Sequence, residues 1–409
     1  MALLNEHFLK LSDNSFFSEL EKKVNSFKVI HPKADLIRLD REYAIQSVPA
    51  ASLDAMQRAI DEMGRESTFR GYGPEKGYGF LTDAIIKHDY SSRGIQLDPD
   101  EVFINDGSKC DLSNIGNILR HDNTIGLTEP VLPLYLNASI LSGRTGDLQE
   151  NGSWSDVVYI PCHENNGFIP ELPSQRVDIV YLCYPNNPTG TALTKSELKK
   201  WVNYAIGNDT LLIFDAAYKS YIQSPDIPHS IYEIKGARKV AIEICSFFQS
   251  AGFSGVRCGY TIVPKELTAA TFSGERIALN PLWKKYLDIR YNGTSYISQR
   301  GAEALYSADG KEQVRKNTAY YMTNARIMKK ALESMGLKVY GGKDAPYLWV
   351  KTPRMLTSMR FFEKLLFEAH ILSVPGSAYG PSGEGFLRLA CFERKDRCEE
   401  AVRRICKYV

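Results

Sequence analysis

The stretch Val177-Asp178-Ile179-Val180-Tyr181-Leu182-Cys183-Tyr184-Pro185-Asn186-Asn187-Pro188-Thr189-Gly190 joins an apolar run to a turn rich in Pro, Asn and Gly. The run is apolar along its length rather than alternating, the pattern of a strand covered by helices on both faces. The turn breaks that strand and opens a helix, which the sequence predicts to start near Thr194. Working outward, similar runs recur at Glu101–Asn105, Thr124–Thr128, Leu211–Asp215, Lys239–Ser246 and Cys258–Val263, with helical patterns such as Leu81–Tyr90 and Lys195–Ile206 between them. This alternation predicts an α/β fold built on a mainly parallel, twisted sheet with helices on both faces.

From about residue 296 the texture changes. A long charged, periodic stretch from Lys311 to Met335 reads as a helix stopped at Gly336. Lys338–Tyr340, Tyr347–Lys351 and Phe386–Phe392 read as strands, with a helix near Met359–Ala369 and a last one running to Tyr408. That is a small α+β unit. The expected organisation is an N-terminal arm over 1–50 joining the small unit or a neighbouring subunit, a large domain over 51–295 and a small C-terminal domain over 296–409.

In 409 residues, 50 basic side chains stand against 48 acidic ones, a net charge of +2. The balance gives no electrostatic reason to expect nucleic acid or a membrane surface as partner. Eight cysteines are scattered without a CxxC pair, several inside apolar runs, which is the habit of reduced core cysteines. No run approaches the roughly 18 apolar residues of a membrane span, and the N-terminus carries charge too early for a signal peptide. A cytoplasmic protein is expected, with no metal site.

Asn187 lies in the turn just quoted. Asp215 ends the run Leu211-Leu212-Ile213-Phe214, with Tyr218 three residues on. A carboxylate at the carboxyl end of a buried strand is where open α/β sheets place ligand contacts, and a helix N-cap explains it equally well. Ser246 closes the next run, followed by Gly252, Gly255, Arg257 and Gly259. Each piece is modest alone. In this order and spacing they resemble the fold-type I pyridoxal-phosphate (PLP) enzymes of the class I/II aminotransferase family.

The resemblance implies that Asn187 and Tyr218 hydrogen-bond the pyridoxal 3′-oxygen, Asp215 pairs with the pyridine nitrogen, and Ser246 and Arg257 hold the phosphate. A buried aspartate keeps the ring nitrogen protonated so that the ring can accept electrons, and an arginine fork suits phosphate oxygens. Further stretches narrow the likeness to LL-diaminopimelate aminotransferases over essentially the whole chain. Phe69-Arg70-Gly71-Tyr72-Gly73-Pro74-Glu75-Lys76-Gly77 is similar to that family's GYG loop, which implies Tyr72 reaching a neighbouring subunit's phosphate and Glu75 near the substrate. Asn105-Asp106-Gly107-Ser108-Lys109-Cys110-Asp111 resembles its S-D-G-A-K-x-D turn, placing Ser108 and Lys109 at the phosphate. Tyr291-Asn292-Gly293-Thr294-Ser295 resembles F-N-G-A-S, with Asn292 crossing the subunit boundary, and Arg388 of Gly385-Phe386-Leu387-Arg388 matches the clamp for a substrate α-carboxylate. A homodimer with shared active sites, acting on a small amino or keto acid, is implied.

The pattern then breaks. Where the family reads S-F-S-K-x-x-G-F-x-G-x-R, this chain reads Ser246-Phe247-Phe248-Gln249-Ser250-Ala251-Gly252-Phe253-Ser254-Gly255-Val256-Arg257, so Gln249 falls on the Schiff-base lysine. Phe248 replaces a serine, and Leu132 replaces the tyrosine of the family's D-P-S-Y-P. The substrate-side L-G-I-G-D-T-T loop reads Leu39-Asp40-Arg41-Glu42-Tyr43-Ala44-Ile45, bringing Arg41 and Tyr43 to the mouth and putting Asp40 and Glu42 where glycines let backbone approach closely. Such clustering points to natural divergence rather than to one trapping mutation. Lys109 and Lys219 are the other amines near the motifs. Lys109 already has a phosphate role, and Lys219 is expected to point away because Tyr218 points in. The expectation is an enzyme that holds PLP, PMP or a preformed aldimine non-covalently and performs specialised chemistry on an amino or keto acid. The alternatives are a catalytically inactive binding or regulatory relative, or an LL-diaminopimelate-type aminotransferase trapped by a lysine-to-glutamine change.

Overall fold

The computed structural model describes residues 2–11, 16–150, 152–353 and 356–408. A two-residue strand β1 (Ile37–Arg38) precedes a seven-stranded sheet of β2 (Val102–Asn105), β3 (Ile125–Glu129), β4 (Val157–Pro161), β5 (Ile179–Cys183), β6 (Leu211–Asp215), β7 (Ala241–Ser246) and β8 (Gly259–Ile262). The spatial order is β2-β8-β7-β6-β5-β3-β4, with β8 antiparallel to both its neighbours and the other pairings parallel. The carboxyl ends of β2, β3, β5, β6 and β7 therefore share one edge, where the loops after them gather. In open parallel sheets that edge is the natural ligand side.

Within β5, Val180 and Leu182 join the apolar cluster on one face with Trp201 and Phe214. Ile179, Tyr181 and Cys183 join the cluster on the other face, with Ile213 and Trp283. Both faces are covered, and this is why the strand reads as an unbroken apolar run. The helices of the first half are α1 (Phe16–Ile30), α2 (Ala50–Met63), α3 (Gly79–Ile85), α4 (Ser108–Asn114), α5 (Pro133–Leu141) and α6 (Lys195–Asn208). In the second half come α7 (Phe248–Ala251), α8 (Leu279–Arg290), α9 (Tyr296–Ala304), α10 (Ala308–Ser334), α11 (Ser358–Phe367) and α12 (Lys395–Ile405). Helix α6 opens on a capping box: the Thr194 hydroxyl accepts from the Glu197 amide at 3.3 Å, and the Glu197 carboxylate accepts from the Thr194 amide at 2.7 Å.

A hairpin of β9 (Thr268–Ala270) and β10 (Arg276–Ala278) follows the large sheet. The C-terminal third carries a four-stranded antiparallel sheet of β11 (Val339–Gly341), β12 (Tyr347–Lys351), β14 (Val374–Pro375) and β15 (Phe386–Ala390), in the order β11-β12-β15-β14. Its core holds Trp349 stacked on Phe386, ring centroids 5.5 Å apart. The N-terminal segment packs here: β1 pairs in parallel with β13 (Ile371–Leu372), and Lys23 of α1 meets Glu363 of α11 at 2.6 Å.

The structure departs from the sequence expectations at two places. Strand β4, Val157-Val158-Tyr159-Ile160-Pro161, is missing from the strands expected above although it is apolar along its length; it is a partly buried edge strand that ends in Pro161. The segment read as one helix over Leu81–Tyr90 is α3 followed by a π-helical turn, Ile86–Tyr90. Among the described residues no helix is long and apolar enough to cross a membrane.

Candidate active site

Asp215 ends β6 at the ligand edge and is buried. One of its oxygens accepts from the Tyr135 hydroxyl at 2.7 Å, and the other from the Ala217 amide at 3.0 Å. Burial pushes its carboxyl up to about 6, opposed by the Tyr135 hydrogen bond. Neither partner is a cation. A buried carboxylate with only a phenol and an amide for company fits a cationic ring nitrogen, which would restore the charged form.

Asn187, in the turn between β5 and α6, donates from Nδ2 to the Tyr218 hydroxyl at 3.2 Å. Tyr218 shares a 2.8 Å hydrogen bond with the Tyr347 hydroxyl, and burial raises its phenol well above the ordinary range. Gln249, in the single turn α7, reaches the same place. Its Nε2 donates to the Tyr218 hydroxyl at 3.3 Å and to the Glu42 carbonyl, while Oε1 is buried without a partner. The side chain is 2 % exposed. Asn187, Tyr218 and Gln249, read from three separate motifs, thus meet in one network.

Arg388, in β15, completes it. Nη1 donates to Asn187 Oδ1 at 2.9 Å and to the Glu42 carboxylate; Nη2 donates to the Asp40 carbonyl at 2.8 Å. The guanidinium lies between the Tyr347 and Tyr379 rings, 5.0 and 5.3 Å from their centroids. Burial works against its charge, but Tyr379 and Glu42 hold its pKa above the usual arginine value. So the arginine matched to a substrate clamp already carries a carboxylate of this chain.

At the far side, Gly107 adopts φ +100°, and a Cβ there would lie 2.5 Å from the Arg257 guanidinium. Only glycine allows that approach. Arg257 itself has φ +61° and sits 5.8 Å from the Phe248 ring centroid. Ser246 Oγ accepts from the Phe248 amide at 3.2 Å. Ser108 and Lys109 begin α4 directly after Gly107, with Lys109 exposed. An arginine fork, two hydroxyls and a helix start around a glycine form a donor set suited to phosphate.

Other residues singled out in the sequence lie farther out. Tyr72 is 90 % exposed, and Glu75 and Asn292 are exposed as well. Leu132 is partly buried against both the large-sheet and small-sheet cores. Arg41 pairs with Glu393 at 3.0 Å and lies 5.9 Å from the Tyr43 ring centroid, with Tyr43 at the surface. Lys219 aims at Asp89, 3.2 Å away, and at the Tyr260 hydroxyl. Burial opposes its charge, but the Asp89 carboxylate raises its pKa beyond the ordinary lysine value, so it stays an ammonium directed away from Gln249.

Three partners escaped the sequence reading: Tyr135 on Asp215, Tyr347 on Tyr218, and Glu42 on Arg388. Tyr135 carries one usable signal, since it falls one turn after the Pro130-Val131-Leu132 segment on the helix that Pro133 opens. The groups at both ends fit a pyridoxal-type phosphate: Asp215 as acceptor for a protonated ring nitrogen, Asn187 and Tyr218 for a ring oxygen, and Ser246, Ser108 and Arg257 as donors for a phosphate.

Residues 42–405 match the family model described as aminotransferase class I and II. The chain is 60 % identical over 409 residues to an LL-diaminopimelate aminotransferase of Phocaeicola vulgatus, covering 100 % of both chains. It is 61 % identical over 406 residues to one of Bacteroides fragilis, covering 99 % of each. Among solved structures, the L,L-diaminopimelate aminotransferase from Chlamydomonas reinhardtii superposes with a TM-score of 0.92 at 38 % identity, covering 100 % of this chain and 98 % of that one. A Thermus thermophilus aspartate aminotransferase mutant shares the fold, with a TM-score of 0.85 at 19 % identity over 100 % of both chains. The chain therefore belongs to the class I and II aminotransferase family, with the fold-type I architecture of the pyridoxal-phosphate transferases.

Proposed function

We propose that this protein holds a pyridoxal-type phosphate without a covalent bond and does not carry out ordinary transamination. The observation behind the reading is Gln249, buried beside Tyr218 where the family motif has its lysine, with both amide hydrogens taken. In this reading residues 51–295 bind the cofactor, while 296–409 and the arm 1–50 close the site. Asp215 holds a proton on the ring nitrogen, Asn187 and Tyr218 orient the ring through its oxygen, and Ser246, Ser108, Lys109 and Arg257 bind phosphate. Tyr72 and Asn292 are supplied by a second subunit. The bound group supplies an electron sink for charge developing beside an amino nitrogen.

What this chain lacks follows from amide chemistry. An amide nitrogen is neither nucleophilic nor basic, so Gln249 neither attacks an aldehyde carbon nor moves a proton. Losing a positioned base alone slows such reactions by about 10²–10⁴. Specialised turnover on an amino or keto acid gains no support from the groups around Gln249, which are Tyr218, Tyr347, Asn187, Glu42 and Arg388; none is an amine or imidazole. Purified protein should absorb at roughly 330–420 nm, the range of the free and bound vitamer, and borohydride should leave that chromophore dialysable. Colourless protein that ignores added pyridoxal phosphate and pyridoxamine phosphate would overturn the proposal.

A second reading, an LL-diaminopimelate-type aminotransferase altered only at the lysine, is favoured by the names of relatives at 60 and 61 % identity. Gln249→Lys separates the two. Recovery of glutamate-dependent transamination supports the second reading; cofactor binding without recovery supports the first. Glu42 on Arg388 favours the first, because a restored lysine would still face an occupied carboxylate clamp.

A further inference from the structure

The loop after β1 introduces two carboxylates, and they behave differently. Asp40 turns away to Arg38, at 2.7 and 2.8 Å, and offers the site only its backbone carbonyl. Glu42 turns inward. Its carboxylate takes Nη1 of Arg388, a guanidinium 1 % exposed, and its carbonyl takes Nε2 of Gln249. One residue thus engages both side chains with which an amino-acid substrate would have to deal.

The charge balance that results is specific. Both Nη groups of Arg388 are engaged by Glu42, Asn187 and the Asp40 carbonyl, while Nε is buried without a partner, so a second carboxylate seeking the Nη face would have to displace one held by the chain itself. Gln249 is left with a bare, buried acceptor, Oε1, because Nε2 is held by Glu42 and Tyr218. A buried acceptor without a donor is unfavourable, and an incoming N–H group relieves it where a carbonyl oxygen does not. The Glu42 side chain, 41 % exposed, brings a carboxylate to the same site through Arg388.

We propose that Glu42 is a specificity residue that seats its own carboxylate on Arg388, so that the pocket takes the amine form of the vitamer, pyridoxamine phosphate, and refuses ligands bearing an α-carboxylate. This rests on the proposed cofactor reading and refines it. The amine would find Gln249 Oε1 and Glu42 as acceptors. The aldehyde of pyridoxal phosphate would meet the same acceptors with no proton to give.

The test is calorimetry on the full-length protein with pyridoxamine phosphate, pyridoxal phosphate and, on the pyridoxamine-loaded protein, glutarate as a non-reacting carboxylate probe. Pyridoxamine phosphate should bind about ten-fold or more tightly than pyridoxal phosphate. Glutarate should fail to bind the wild type but bind Glu42→Ala and Glu42→Gln, the apparent affinity rising about 10–100-fold as a tethered competitor is removed. The gain should vanish in the double variant Glu42→Ala/Arg388→Lys, and the Gln variant guards against a folding defect in the Ala one. Equal or tighter binding of pyridoxal phosphate, or glutarate binding unchanged by Glu42 substitution, would overturn the inference while leaving the cofactor reading intact. Binding of neither vitamer would remove both.

Discussion

Asp215 and Asp111 are two buried carboxyls at the ligand edge, each pushed up to about 6 by burial. Their hydrogen bonds differ: Asp215 accepts from Tyr135 and the Ala217 amide, Asp111 from Asn105 and Thr261. In the unfolded chain both ionise near the ordinary aspartate value of 3.8. Between those values the folded state keeps a proton that the unfolded state has released, so folding takes up protons and stability falls as pH rises through the window. Above about pH 6 the loss is complete. A rise of about two units corresponds to about 3 kcal/mol per group. Asp215→Asn should therefore make the cofactor-free protein more stable than wild type at pH 7.5, by about 2–3 kcal/mol, with only about 1 kcal/mol of that difference left at pH 4.5. Urea unfolding at the two pH values measures it, and equal effects at both would contradict the buried-acid account. A ligand with a cationic nitrogen should shrink the difference by restoring Asp215 as a charged partner.

The turn that joins β5 to α6 is fixed at two points of unequal strength. Gly190 adopts φ +68°, and a Cβ there would lie 2.3 Å from the Tyr347 carbonyl and 3.0 Å from Gly341 Cα. Backbone on the other side cannot give way as a side chain could. Gly190→Ala should cost about 2–4 kcal/mol through the strained φ and the collision. Thr194→Ala, which removes the cap of α6, should cost about 1 kcal/mol. Denaturant titration ranks them; a Gly190→Ala variant no worse than Thr194→Ala would show that β12 can move away from the turn. This element also shows what was legible. Strands β2, β5, β6 and β7 announce themselves as apolar runs because both sheet faces are covered, and Asn187 could be read because turn residues cluster in sequence. The contacts that decide the site could not. Tyr135 lies 80 residues from Asp215, and Glu42 lies 346 from Arg388, so no local spacing encodes either pair. The loop's new charges were visible, but which of Asp40 and Glu42 turns inward depends on Arg38 lying beside the first.

Across the molecule, the surface residues of the cofactor motifs are not scattered. Gly293 packs so tightly on the 72–75 loop that a Cβ would lie 2.9 Å from the Pro74 carbonyl. Tyr72, Glu75 and Asn292 therefore share one exposed ridge, with Tyr72 at 90 % and Phe69 at 62 % exposure. Large exposed aromatics beside a phosphate-type donor set are unfavourable for a solitary chain and suit an isologous interface, in which each copy offers the same ridge to the other's pocket. A homodimer should appear in sedimentation at micromolar concentration. Subunit mixing then tests whether the pockets are shared. Tyr72→Ala and Arg257→Ala should each weaken cofactor binding when alone. In a mixed dimer, however, one pocket carries both defects and the other carries none. Random exchange makes about half the dimers mixed, so about a quarter of all pockets should regain wild-type affinity. A monomer in sedimentation, or a mixture in which no tight sites return, would show that each chain completes its pocket by itself and that the exposed tyrosine serves something else.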